Sequence, residues 1–102
     1  MHDAYTMITQ GQAYGIDVRE ADEWIVGHAP DVTWNPLSNF DFENLPTDKP
    51  LIFICLHGYR SARVCNALET VREDVYNMDG GMKLWADAGL PIIAEESNPK
   101  II

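Results

Sequence analysis

The chain has 102 residues, and we expect residues 1–102 to form a single domain, because this length leaves no room for a second core. Its net charge of −9, from 16 acidic and 7 basic residues, excludes a basic surface that could neutralise nucleic-acid phosphates. The 46% hydrophobic composition is sufficient for a packed core, and two cysteines do not make a disulfide framework.

No part of the sequence indicates a membrane or export signal. The first five residues lack the basic start and the apolar run of a signal peptide. No segment approaches the ~20 apolar residues that a membrane helix needs. We therefore expect no membrane contact and a cytoplasmic location, although a processed export signal would leave the same residues.

Helices and strands are predicted to alternate along the chain. The apolar periodicity predicts helices over residues 3–9, 20–26, 61–71 and 81–88, and a helical turn over 40–45. Strands are predicted over residues 13–18, 32–34, 51–54 and 75–78. For the first segment an edge strand over residues 6–8 is the alternative. This order predicts an α/β fold, a mainly parallel central sheet with helices on both faces.

Several residues are expected to define the ends and the core of these elements. In the second helix Ala21, Trp24 and Ile25 form one apolar face, and Gly27 is expected to end the helix in a left-handed conformation. Gly89 ends the last helix, and the residues after position 91 are expected to fray. The tryptophans are predicted to be core residues, and the last two could also wall a pocket: Trp24, Trp34 and Trp85.

The stretch over residues 51–61 carries the strongest functional signal. Four apolar residues lead into Cys55, a loop containing Gly58 follows, and Arg60 and Ser61 begin the next helix. Cys55 is thereby placed at the carboxyl end of a strand, facing the N–H groups of a helix start. Such donors and the guanidinium of Arg60 stabilise a thiolate, which is the reactive form of cysteine. The alternative is a small buried residue that ends a core strand.

Three motifs, in order, resemble the rhodanese family of sulfurtransferases over about residues 16–92. The active-site loop of that family is similar to Cys55-Leu56-His57-Gly58-Tyr59-Arg60-Ser61. Its N-terminal signature is similar to Asp17-Val18-Arg19-Glu20, Glu23-Trp24 and Gly27-His28-Ala29-Pro30. Its C-terminal signature is similar to Asp79-Gly80-Gly81, Trp85 and Ala88-Gly89-Leu90-Pro91.

The resemblance implies a rhodanese-like three-layer domain and a catalytic role for Cys55, which would carry sulfur as a persulfide. It implies thiosulfate or a similar small anion as donor, and cyanide, a thiol or a protein as acceptor, with no cofactor and no metal. Arg60 would help to bind the anionic donor. The residues expected to bind substrate, mainly through backbone N–H groups, are Leu56, His57, Gly58, Tyr59, Arg60 and Ser61.

Two other functions are weighed against this one. The acidity of the chain, and Leu56 and His57 where the family often has basic or small polar residues, favour a weakly active sulfur-relay or protein-interaction module. A cysteine phosphatase is disfavoured because four residues separate Cys55 from Arg60, where the phosphatases have five. His57 could tune the thiolate, and the alternative is a solvent-facing loop histidine.

The remaining polar candidates follow other strands or lie in turns. Arg19 and Asp79 could line the same rim as Cys55, and Asp17 is expected to form a salt bridge with Arg19 or contacts with the loop. His28 is expected to have a structural role, with its ring bonded to the backbone. Cys65 is predicted to be a buried thiol with no disulfide to Cys55. The sequence has no His, Cys and carboxylate cluster with metal-site spacing.

Overall fold

The computed structural model describes residues 2–95 and 98–102. Its helices are α1 (His2–Thr9), α2 (Ala21–Val26), α3 (Tyr59–Leu68) and α4 (Gly81–Asp87), and a short 3-10 helix spans Leu37–Asn39. Its strands are β1 (Tyr14–Asp17), β2 (Val32–Trp34), β3 (Leu51–Ile54) and β4 (Val75–Asn77). Among the described helices, none combines the length and the apolar character needed to cross a membrane.

The four strands form one parallel sheet in the order β2-β1-β3-β4. In this sheet Ile16 is in register with Phe53, and Phe53 with Asn77. Because the strands are parallel, their carboxyl ends meet at one edge, which brings Asp17, Cys55 and Asn77 together. The predicted α/β fold with a parallel central sheet is confirmed.

Helices cover both faces of the sheet, so every residue of β3 is buried. Phe53 packs with Val64 and Leu68 of α3 in one apolar cluster. Ile52 and Ile54 point the other way and pack with α1 and with Trp85 of α4. Full burial of an aliphatic or aromatic side chain contributes about 1.5–3 kcal/mol, so these alternating residues hold the layers together.

The second helix differs from its prediction. None of the residues of α2 is fully buried, and Ala21 and Ile25 are exposed, so the apolar face predicted for this helix is not part of the core. Gly27 has a φ of 173°, which is extended backbone, so the predicted left-handed end is also wrong. The glycine is needed for a different reason, because a Cβ atom there would lie 2.0 Å from the backbone oxygen of Lys100.

One predicted helix ends earlier and one predicted helical turn does not form. Helix α3 ends at Leu68 rather than at residue 71, and the backbone N–H groups of Val71 and Arg72 both bond to the carbonyl of Leu68 as the chain turns. The helical turn predicted over residues 40–45 is wrong, because the Asp41 side chain accepts the N–H groups of the residues that follow it and forms a local turn instead. The predicted first helix is confirmed over its edge-strand alternative.

The tail after position 91 is predicted to fray, and this is wrong for its described residues. Residues 96–97 lie outside the described part of the chain. His28 and Ile93 exchange two backbone hydrogen bonds of 2.8 Å, and Lys100 donates to the carbonyl of Val26 at 2.9 Å. Apolar side chains of the tail, including Ile101, pack on the cluster beneath α4.

The tryptophans divide between core and surface. Trp85 is fully buried, as predicted, whereas Trp34 is 38% exposed and Trp24 is half-buried, so the core prediction is wrong for these two. The indole N–H of Trp34 donates to the carbonyl of Arg19 at 2.8 Å, so its polar group is paired at this half-open position.

Candidate active site

Cys55 follows β3 directly, and its sulfur is surrounded by hydrogen-bond donors of the next loop. The backbone N–H of Gly58 lies 3.0 Å from Sγ, and that of Ser61 lies 3.4 Å from it. The Ser61 hydroxyl oxygen is 3.3 Å from the same sulfur. Gly58 has a φ of 97°, a left-handed conformation that turns its N–H back toward Cys55 and that favours glycine. The loop therefore forms a cradle of donors around one sulfur atom.

The surroundings of Cys55 shift its ionisation. Burial raises the pKa of the Cys55 thiol, but hydrogen bonds from the Ser61 side chain and from the backbone N–H groups of Ser61, Gly58 and Arg60 outweigh burial, so the pKa lies below its ordinary value. Burial raises the pKa of Cys65 to about 11, with smaller contributions from nearby carboxylates. Both cysteines are free thiols, and Cys65 is buried as predicted.

We expect the two cysteines to differ in their alkylation by iodoacetamide. Because the thiolate is the nucleophile, the Cys55 rate should rise with pH to a midpoint below the ~8.5 of free cysteine, whereas Cys65 should stay unreactive until strongly alkaline pH. Peptide mass spectrometry over a pH series measures both rates. The profile of Cys55 should be unchanged in the Cys65→Ser variant, and a Cys55 midpoint at or above the free value would contradict the cradle.

Arg60 lines the site but does not carry a free charge. Its guanidinium makes two hydrogen bonds of 2.8 Å to the carboxylate of Glu23 in α2. Arg60 is 36% exposed and Glu23 14%. The hydrogen bond from Arg60 holds the pKa of Glu23 below its usual value. The sequence predicts the cation but not its pairing with Glu23, which lies 37 residues away along the chain.

The cradle opens into a cavity of about 140 Å³ lined by Cys55, Leu56, His57, Tyr59 and Arg60. Gly58 and Ser61 are buried beneath it. His57 is exposed, in agreement with a solvent-facing loop histidine, and Tyr59 is 80% exposed. A larger groove of about 420 Å³ lies between α1 and β4, but its described lining contains no cysteine, so the smaller cavity is the candidate site.

The other polar candidates mainly support the edge of the sheet. Asp17 and Arg19 are fully buried and form a 2.9 Å salt bridge, so that prediction is confirmed. Arg19 therefore lies beneath the rim. The prediction that it could line the rim beside Cys55 is wrong. His28 has its Nδ1 atom 2.9 Å from the carbonyl of Ala29, and its ring stacks on Trp24, which agrees with a structural role.

Two further residues hold the loop: Asn77, which lies outside the sequence motifs, and Gly81, which belongs to the C-terminal motif but was not predicted to contact the loop. The Asn77 side chain donates to the carbonyl of Gly58 at 3.0 Å, and its oxygen contacts the Ser61 hydroxyl. A Cβ atom at Gly81 would lie 2.3 Å from the carbonyl oxygen of Cys55. In the sequence, Asn77 is a polar residue that ends a strand at the Cys55 edge of the sheet. Gly81 belongs to a pair of glycines that precedes a helix.

The start of α4 holds the other side of the same loop. The N–H of Met82 donates to the carbonyl of Cys55 at 2.8 Å, and that of Lys83 donates to the carbonyl of Leu56 at 3.0 Å. These bonds use N–H groups that a helix start leaves unpaired. Within residues 2–95 and 98–102, no group of three or more His, Cys, Asp or Glu residues is arranged to hold a metal ion.

Comparison with known proteins identifies the family. Residues 1–88 match the rhodanese-like domain. The chain is 33% identical over 95 residues to the thiosulfate sulfurtransferase GlpE of Vibrio cholerae, with 89% of each chain covered. It is 35% identical over 77 residues to GlpE of Pseudoalteromonas translucida, with 71% of each covered. A rhodanese-related protein from Thermoplasma volcanium superposes with a TM-score of 0.83 at 30% identity, over 93% of this chain and 94% of that one. The chain therefore belongs to the rhodanese-like sulfurtransferase family.

Proposed function

We propose that this protein moves sulfane sulfur from a small anionic donor to a thiophilic acceptor through a persulfide on Cys55. The observation that carries the proposal is the Cys55 sulfur within reach of the N–H groups of Gly58 and Ser61 and of the Ser61 hydroxyl. Membership of a sulfurtransferase family supports it. Preorganised donors of this kind stabilise a charged sulfur without reorganisation during the reaction.

In the proposed first step the Cys55 thiolate attacks the outer sulfur of thiosulfate. A new S–S bond forms to Sγ, the S–S bond of thiosulfate breaks, and sulfite leaves with the bonding electron pair. In the second step the acceptor attacks the outer sulfur of the persulfide. Cyanide takes this sulfur and leaves as thiocyanate, and a thiolate acceptor takes it and leaves as its own persulfide. The Cys55 thiolate is regenerated in both cases.

Arg60 is proposed to contribute to donor binding in competition with Glu23. The guanidinium already donates to the Glu23 carboxylate, so an anionic donor meets a nearly neutral pair and not a free cation. Leu56 and His57 add no fixed positive charge, and the whole chain carries −9. These features favour weak binding of dianionic thiosulfate, and a donor other than thiosulfate fits the proposal equally well.

The proposal is tested by intact-mass spectrometry of the protein after incubation with thiosulfate and a panel of other sulfur donors. We expect the mass of one sulfur atom to be added, to be mapped to the Cys55 peptide, and to be lost again on treatment with cyanide. The Cys65→Ser variant should accept sulfur normally. Absence of the added mass with every donor, or its location on Cys65, would overturn the proposal.

A sulfur-relay module with a protein acceptor is the second candidate. The observation that favours it is the 80% exposure of Tyr59 at the mouth of the cavity, beside Leu56 and His57. Exposed aromatic residues are enriched where proteins bind one another. Slow turnover of free thiosulfate and cyanide, together with persulfide formation on Cys55, would favour this candidate, and fast turnover would remove it.

A further inference from the structure

Asn77, at the end of β4, contacts the same loop from the side opposite the cavity mouth. Its Nδ2 atom lies 3.0 Å from the carbonyl oxygen of Gly58 and 3.0 Å from a carboxylate oxygen of Asp79. Both neighbours are acceptors, so both protons of the side-chain amide are used and its orientation is fixed. The Oδ1 atom of Asn77 therefore faces the Ser61 hydroxyl, as a short contact between the two oxygens shows.

The Ser61 hydroxyl stands between two acceptors and has one proton. On one side lies Asn77 Oδ1, which carries no proton of its own, so only Ser61 can donate in that pair. On the other side lies the Cys55 sulfur, 3.3 Å from the Ser61 oxygen. When Ser61 donates to Asn77, its lone pairs face the sulfur, where a thiol S–H can donate to them but a thiolate is repelled.

We propose that Asn77 is a positioning residue whose side-chain oxygen competes with the Cys55 sulfur for the single hydroxyl proton of Ser61, and so limits how far Ser61 stabilises the thiolate. Full stabilisation of the thiolate by Ser61 requires the hydroxyl to point toward the sulfur. That orientation leaves two oxygens, one of Ser61 and one of Asn77, in close contact without a proton between them, which costs free energy. The backbone N–H groups of Gly58 and Ser61 act in the opposite direction and favour the thiolate.

Other charged or titratable groups also lie around the loop. They are Arg60 of α3 with Glu23 of α2, the buried Asp17–Arg19 pair at the end of β1, His57 in the loop, and Asp79 after β4. A single substitution at Asn77 therefore does not isolate the competition for the proton. A cycle of two substitutions does, because contributions from groups that are common to all four proteins cancel.

The test is the pKa of Cys55 in four proteins, the natural chain, Asn77→Leu, Ser61→Ala and the double variant, measured by thiolate absorbance and by alkylation rate. We expect Asn77→Leu to lower the pKa by about half a unit to one unit, because the Ser61 proton is released to the sulfur. In the Ser61→Ala background the same substitution should cause no such fall. Asn77→Leu removes the Asn77–Gly58 hydrogen bond in both backgrounds, so the effect of that loss cancels in the difference.

Equal shifts in the two backgrounds, or a rise in the Cys55 pKa on Asn77→Leu, would overturn the inference. Circular dichroism and thermal unfolding establish that each variant is folded. If the Asn77 variants do not fold, Ser61→Ala alone decides: a rise of the Cys55 pKa below about one unit supports the competition, and a larger rise, toward the effect of losing a full donor to the thiolate, contradicts it. The inference rests on the proposed function only for its effect on turnover, so a shifted pKa without sulfur transfer would remove the function and leave the competition.

Discussion

Replacing Cys55 by serine is expected to lower the rate of sulfur transfer by at least about a thousandfold, the scale of losing a nucleophile in covalent catalysis. Serine is similar in size and can accept the same hydrogen bonds from Gly58 and Ser61, so the loop should keep its shape. Its hydroxyl, however, is not ionised near neutral pH and cannot form an S–S bond. Thiocyanate production from thiosulfate and cyanide measures the rate.

The matched control is Cys65→Ser, which removes the other thiol of the chain. Cys65 is buried in α3 with a pKa of about 11, so it is not a nucleophile at neutral pH and this variant should keep most of the activity of the natural protein. Residual activity in Cys55→Ser above about one hundredth would be incompatible with a nucleophilic role for Cys55.

Substitution of Gly81 by alanine should destabilise the fold by about 3 kcal/mol or more, since backbone strain and a steric clash add together. Gly81 has a φ of 59°, which disfavours residues with a Cβ atom, and that atom would lie 2.3 Å from the Cys55 carbonyl oxygen and 2.5 Å from that of Leu56. Neither backbone oxygen can move without moving the cradle. Thermal unfolding should show Tm falling by roughly 15 °C, and sulfur transfer should fall in the part of the protein that remains folded.

The matched control is Gly89→Ala, which introduces the same kind of backbone strain as Gly81→Ala but no steric clash. Gly89 also has a left-handed φ, of 75°, but nothing lies within 4 Å of the position that a Cβ atom would take. Strain alone should therefore cost about 1 kcal/mol, and sulfur transfer should be unchanged. If the two variants lost the same stability, the contact between Gly81 and the cysteine loop would have no energetic importance.

Features that depend on a short stretch of chain could be predicted from the sequence. The apolar run before Cys55 and the helical spacing after it define β3 and α3, and the count of residues from Cys55 to Arg60 defines the loop. The order of strands and helices predicts a parallel sheet. The extent of the domain, the physiological donor and the acceptor stay predictions.

Features that depend on pairing between distant segments could not be predicted in this way. Glu23 has the pattern of an ordinary acidic residue in the first turn of a helix, and only the fold brings it to Arg60. The tail after Pro91 lacks periodicity, yet it pairs with His28 and is held by backbone hydrogen bonds. The hydrophobicity of Trp34 favours the core or a pocket wall, yet the side chain is exposed and its N–H is paired with a backbone carbonyl.

The hydrogen bonds from α4 to the carbonyls of Cys55 and Leu56 have a consequence for how the protein loses function. In a peptide group the C=O and the N–H point in opposite directions, so anchoring these carbonyls on α4 fixes the peptide groups that join Cys55 to Leu56 and Leu56 to His57, from which the chain enters the cradle. Local unfolding of α4 would free the carbonyls of Cys55 and Leu56, and with them their peptide groups, at the same time. The cradle and the last helix should accordingly behave as one cooperative unit, in which sulfur chemistry is lost when α4 opens, before the central sheet does.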